Sequence, residues 1–191
     1  DDQDFGRKLR FDVALGALPV EAVQTDLVRG SLPAEALASG ELASAFSDTQ
    51  LVAGVVDGRN IWRTDLRAAF AQLTALTEAG VSVVVGTSNN LQHVPHDVND
   101  ESKLDARLKS WLAFADQKVE QVATLAKGLT EGAAAIKSAL ADVDRALADR
   151  ASAPGVRVDT VRGRVGAVTA DDRNRAGEQE RRDAQQALGI P

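Results

Sequence analysis

Two apolar, β-branched runs, Leu51–Val56 and Val81–Thr87, flank one amphipathic stretch, and that alternation constrains the chain to a parallel α/β arrangement. Runs without polar alternation suit strands buried on both faces. Between them Leu66, Ala69, Phe70, Leu73 and Leu76 recur at helical spacing. Thr64 or Asp65 is placed to cap the helix start, and Ala79-Gly80 to stop it. A third strand is predicted over Val20–Val28, ended by Arg29-Gly30. The βαβαβ order with short connections predicts parallel strands joined by right-handed crossovers. Three such strands leave two open edges, so the unit is expected to belong to a larger sheet or barrel.

The remaining pattern is helical. Phe11–Leu18 reads as the end of a helix stopped by Pro19, and Leu32–Phe46 as a helix interrupted at Gly40. Ser102–Leu129 forms one long amphipathic pattern through Leu104, Leu108, Trp111, Leu112, Ala115, Val119, Val122 and Leu125. An Ala-rich helix is predicted over Ala133–Arg150, broken by Ala153-Pro154-Gly155, and a last charged helix over Ala170–Ala187. These helices read as an extension packed on the α/β part.

Composition narrows the partners. The chain has 191 residues, 44% hydrophobic and 26% charged, which suits one domain or a large piece of one. A net charge of −6 argues against nucleic acid or an anionic membrane as partner. No apolar run approaches the roughly 20 residues of a membrane span. There is no cysteine, hence no disulfide, thiolate ligand or cysteine nucleophile. The start, DDQDFGRK, has no apolar leader region. Methionine is absent too, so the chain is expected to begin downstream of a start codon, as part of a longer polypeptide.

Candidate chemistry collects where the strands end. Arg59, Asn60 and Arg63 follow the strand that stops at Asp57-Gly58, where they could bind an anion or orient a neighbouring loop. A scaffold reading stands beside this: Arg59 forms an ion pair with Asp26 or Asp57, and Trp62 packs. Asp26, near the end of the first strand, is a candidate general base, metal ligand or ion-pair partner of Arg59. Thr87–His96 carries both histidines, but Pro95 between them favours an extended loop over a metal-binding turn, and no metal ligand is assigned. His93 is a candidate hydrogen-bonding group for a loop carbonyl or a ligand. No phosphate-binding glycine loop, dinucleotide fingerprint or nucleophile elbow is present.

Three segments carry a family resemblance: ALPVEAVQTDLVRG (Ala17–Gly30), VVDGRNIWRTDL (Val55–Leu66), and TSNNLQHVPHDV from Thr87 followed by LDARLKSWLAFADQKV (Leu104–Val119). In this order they resemble the cobalamin-independent methionine synthases, the 5-methyltetrahydropteroyltriglutamate–homocysteine methyltransferases. The resemblance implies an α/β fold built as a partial (β/α)8 TIM-type barrel. Residues 1–128 would supply the last three β/α units of an N-terminal barrel, and residues 129–191 an α-helical extension and linker toward a second, catalytic barrel. It also implies a cytoplasmic enzyme that transfers a methyl group from 5-methyltetrahydrofolate polyglutamate to homocysteine. The zinc that activates the thiolate would be held in the second barrel. The partners implied are the remainder of the same polypeptide, homocysteine and the folate.

On this resemblance Arg59, Asn60, Asn89 and His93 line the substrate cleft, none of them is catalytic, and the chain alone is inactive. Asn89 stands where many family members have cysteine, so no thiolate role carries over to that position. Two other readings remain: a non-catalytic, barrel-derived scaffold or interaction module, and a stand-alone α/β enzyme using Asp26, Arg59 and His93.

Overall fold

The computed structural model describes residues 16, 18–30 and 34–189, and the chain divides into two compact units, Asp1–Arg150 and Ala151–Pro191. The first unit holds a three-stranded parallel sheet in the order β1 (Ala22–Asp26), β2 (Gln50–Val56), β3 (Val83–Thr87). All three predicted strands are present, and both pairings are parallel. The expected helix end over Phe11–Leu18 lies almost wholly outside the described residues. Helices α1 (Ala34–Ala38) and α2 (Glu41–Ala45) lie on either side of the interruption expected at Gly40. Gly40 takes φ 73°, a left-handed conformation that favours glycine and breaks the helix there.

Helix α3 (Leu66–Glu78) begins where its cap requires, with the Asp65 side chain accepting from the Ala68 N–H at 3.0 Å. Its buried face is Leu66, Ala69, Leu73 and Leu76. That stripe shares one core with Leu51, Ala53 and Val55 of β2 and with Leu42 and Phe46. Between Gly54 and Val56 the β2–β3 register shifts by one residue, so Val55 and Val56 are both buried. A bulge of this kind bends the strand and re-aims the turn that follows it. The other face of the sheet is uncovered among the described residues: Gln24, Val52 and Val84 stand side by side in register, and Val84 is 40% exposed.

The long amphipathic pattern after residue 100 is two helices, α4 (Ala106–Trp111) and α5 (Ala115–Glu131). The break has a tertiary cause. The segment at Leu112 pairs antiparallel with Trp62. Arg63 N–H donates to the Trp111 carbonyl at 3.0 Å, and Ala113 N–H to the Ile61 carbonyl at 2.8 Å. Backbone groups used this way do not continue a helix. The break also re-phases the helix that follows. Val119, expected on the core face, is 57% exposed, and the buried stripe of α5 is Lys118, Gln121, Leu125 and Gly128. A single 3-10 turn, Ala133–Ile136, leads into α6 (Lys137–Ser152), whose Leu140 and Val143 join the core.

The second unit carries α7 (Asp159–Gly166), which the sequence pattern did not announce, and α8 (Glu178–Ala187). The charged helix expected from Ala170 is shorter than predicted. Asp171–Arg173 is a 3-10 turn in which Asp172 accepts from the Thr169 N–H and hydroxyl, both at 2.7 Å, and Gly177 stands at the start of α8.

Candidate functional site

The carboxyl ends of the three strands converge on Asp57, whose side chain is 14% exposed. Its Oδ2 accepts from Asn60 Nδ2 at 2.8 Å and its Oδ1 from the Arg59 backbone N–H at 2.9 Å. The Arg29 guanidinium, from the turn after β1, lies 3.3 Å away. Ser88, buried just past β3, reaches Asp57 Oδ1 with its hydroxyl at 3.5 Å and accepts from the Gly58 N–H at 3.3 Å. Burial pushes the Asp57 carboxyl up. The Arg59 N–H, the Arg29 guanidinium and the charges of Arg29 and Lys118 outweigh it and hold the group below the ordinary carboxylate value.

The ion pair expected between Arg59 and Asp26 or Asp57 is made by Arg29. Asp26 closes the turn after β1, its Oδ1 accepting from the Val28 and Arg29 N–H groups, both at 3.0 Å, and its Oδ2 lies 3.4 Å from Arg29. The guanidinium of Arg59 is exposed and forms no ion pair among the described residues. Asn60 is held at both ends of its amide: Nδ2 by Asp57, and Oδ1 by the Trp62 N–H at 3.0 Å and Lys118 Nζ at 3.4 Å. Asn89 accepts from the Ser88 hydroxyl at 3.0 Å and donates to the Asn90 carbonyl at 2.9 Å. His93 sits exposed on the 3-10 turn Leu91–His93, away from this network. The structure thus brings Asn60 and Asn89 to one polar network, which Arg59 joins through its backbone N–H alone and His93 does not join.

Sequence reasoning missed Arg29 and Lys118. A lysine three residues before Gln121 and seven before Leu125 was a signal, but only with the helix phase set by the break at Leu112. Beside the network a cavity of about 270 Å³ opens between the ends of β1 and β2 and the start of α3, floored by Leu27 and Val55 and walled by Asp57, Asn60, Arg63 and Thr64. No group of three or more His, Cys, Asp or Glu side chains able to hold a metal ion occurs among the described residues. His96 comes nearest, with Asp116 at 3.6 Å and Asp100 at 3.9 Å, all exposed. No described helix is long and apolar enough to cross a membrane.

A parallel sheet whose carboxyl edge gathers the polar side chains defines an α/β protein of the class that builds its site at that edge. Residues 4–80 match the family model described as the cobalamin-independent synthase, N-terminal domain. Three relatives carry the name 5-methyltetrahydropteroyltriglutamate–homocysteine methyltransferase. The protein of Mycolicibacterium paratuberculosis is 43% identical over 178 residues, 93% of this chain and 23% of the relative's length. That of Rhodococcus jostii is 42% identical over the same shares, and that of Mycobacterium leprae 40% identical over 98% of this chain and 24% of its own length. Over nearly its whole length the chain is similar to these methyltransferases, and it spans about a quarter of the length of these curated relatives.

Proposed function

We propose that this chain is a segment of a cytoplasmic enzyme that makes methionine by moving a methyl group from 5-methyltetrahydropteroyltriglutamate to homocysteine. In this reading residues 1–128 form the last three β/α units of an N-terminal (β/α)8 barrel, and residues 129–191 are the extension toward a catalytic barrel. The observation that carries it is the match over 93% of the chain to relatives named for that reaction. The parallel order β1-β2-β3, with its polar side chains at one edge, supports the barrel reading. The zinc implied by the resemblance finds no donor set among the described residues, so no step through a metal is assigned to them.

What this segment contributes is a wall. Asp57 orients Asn60 and the Arg59 N–H, and Arg63 in the same turn lines the cavity. A guanidinium placed there suits a carboxylate-bearing substrate. The second reading, a scaffold without substrate contact, is favoured by one observation: Asp57, Asn60, Arg29 and Lys118 satisfy one another. The test is Asn60→Ala and His93→Ala in the full-length protein that contains this segment. A raised KM for the methyl donor supports the cleft reading; unchanged KM and kcat in both variants leave only the scaffold.

A further inference from the structure

Among the described residues Lys118 is the only ionisable side chain that is buried, with a relative exposure of 0%. A lysine on a helix ordinarily runs its stem along apolar surface and keeps its ammonium in water. Taking that charge out of water costs several kcal/mol unless the fold supplies acceptors. Here they come from the turn after β2: the Trp62 carbonyl at 3.2 Å and Asn60 Oδ1 at 3.4 Å. Asn60 passes the contact on through Nδ2 to Asp57, which also binds the Arg59 N–H and Arg29. The chain just before α5 pairs with the same turn through Trp111 and Ala113. One helix and its leading residues therefore hold the turn at two points. Full burial leaves the amine no route to a substrate, which removes a nucleophilic role.

We infer that Lys118 is the positioning residue of this turn: its buried ammonium fixes Asn60 and Trp62, and through them the direction in which Arg59 and Asn60 face the cleft. The second half rests on the reading of this edge as a cleft wall; the fixing of the turn stands without it.

The charges facing Lys118 are few. Asp57 on the β2 turn attracts it, with Arg29 beyond. Strands β2 and β3 and the Ala133–Ile136 turn carry no ionisable residue. Helix α3 carries Arg67, paired to Asp144, and Glu78 in its last turn. Burial lowers the ammonium to about 8, opposed by Asp57.

The experiment uses Trp62 as reporter, with Trp111→Phe removing the other of the two tryptophans. Emission of the Trp111→Phe chain is followed as pH passes through about 8. The inference expects an inflection there. With Lys118→Met added, the inflection is lost and the signal stays at its high-pH level; with Lys118→Arg added, it stays at the low-pH level. An inflection that survives Lys118→Met, or none in the Trp111→Phe chain, overturns the inference. If Lys118→Met does not fold, the Trp111→Phe titration and Lys118→Arg decide alone. In the full-length protein Lys118→Met is expected to raise KM for the methyl donor about tenfold with kcat little changed. An emission inflection with unchanged KM keeps the positioning role and overturns the cleft wall; a missing inflection overturns the positioning role whatever the KM.

Discussion

Asp57 and Lys118 tie the edge of the sheet together, yet they act on stability with opposite signs. Asp57 has a folded pKa below its ordinary 3.8, so its contribution is fully present above that value and is lost as pH falls through the folded pKa. Replacing it by Asn leaves Lys118 without its counter-charge and Arg29 with Asp26 alone. We expect Asp57→Asn to lower stability by about 2 kcal/mol at neutral pH, in urea unfolding, with the gap closing below pH 3.8. Lys118 is the reverse case. Its folded pKa of about 8 lies below the ordinary 10.5, so between these values the unfolded chain binds the extra proton and stability rises with pH. Relative to Lys118→Met, the parent chain should gain on the order of 3 kcal/mol between pH 8 and 10.5. At neutral pH the Met variant should therefore be at least as stable. A parent that loses stability relative to the variant over that range contradicts the assignment. Sequence alone hid this residue because a lysine within a helix reads as solvated.

At the scale of elements, close approach decides what β2 tolerates. A Cβ on Gly54 would meet three backbone atoms: the Thr25 carbonyl oxygen at 2.6 Å, Ser88 Cα at 2.8 Å and the Thr87 carbonyl oxygen at 2.9 Å. No side chain can rotate away to relieve this, so both neighbouring strands must shift. Gly54→Ala is expected to cost on the order of 3 kcal/mol, read as a lower urea midpoint, and to disturb the Ser88–Asp57 contact. The end of α6 adds a weaker tie, with the Arg150 guanidinium 3.8 Å from the centre of the Trp62 ring. Arg150→Ala should cost about 1 kcal/mol, and a double-mutant cycle with Trp62→Phe should show the coupling. Strands β2 and β3 and helix α3 were legible because their apolar runs and the Asp65 cap act locally. The break at Leu112–Phe114 was not, because its cause lies some fifty residues earlier, at Ile61–Arg63. Pairing Arg59 with Asp26 or Asp57 failed for a related reason: the Asp26 turn folds Arg29 back toward both carboxylates, and strand spacing does not show that turn.

For the molecule as a whole, the decisive feature is the uncovered face of the sheet. Gln24, Val52 and Val84 lie in one row across three strands, and Val84 is 40% exposed. The opposite face, by contrast, is closed by α3, α5 and α6. A sheet buried on one side and open on the other keeps apolar area and strand edges in water, where a second surface gains by covering them. Within a complete barrel that surface is the rest of the barrel. In this chain by itself, another copy is the available cover. The isolated chain is therefore expected to self-associate, with a melting temperature that rises with protein concentration. Val84→Lys should weaken the association while leaving the helix-covered core intact. Sedimentation equilibrium separates the cases: a monodisperse monomer whose melting temperature is independent of concentration would show that the open face needs no partner, and would count against the partial-barrel reading on which the proposed function rests.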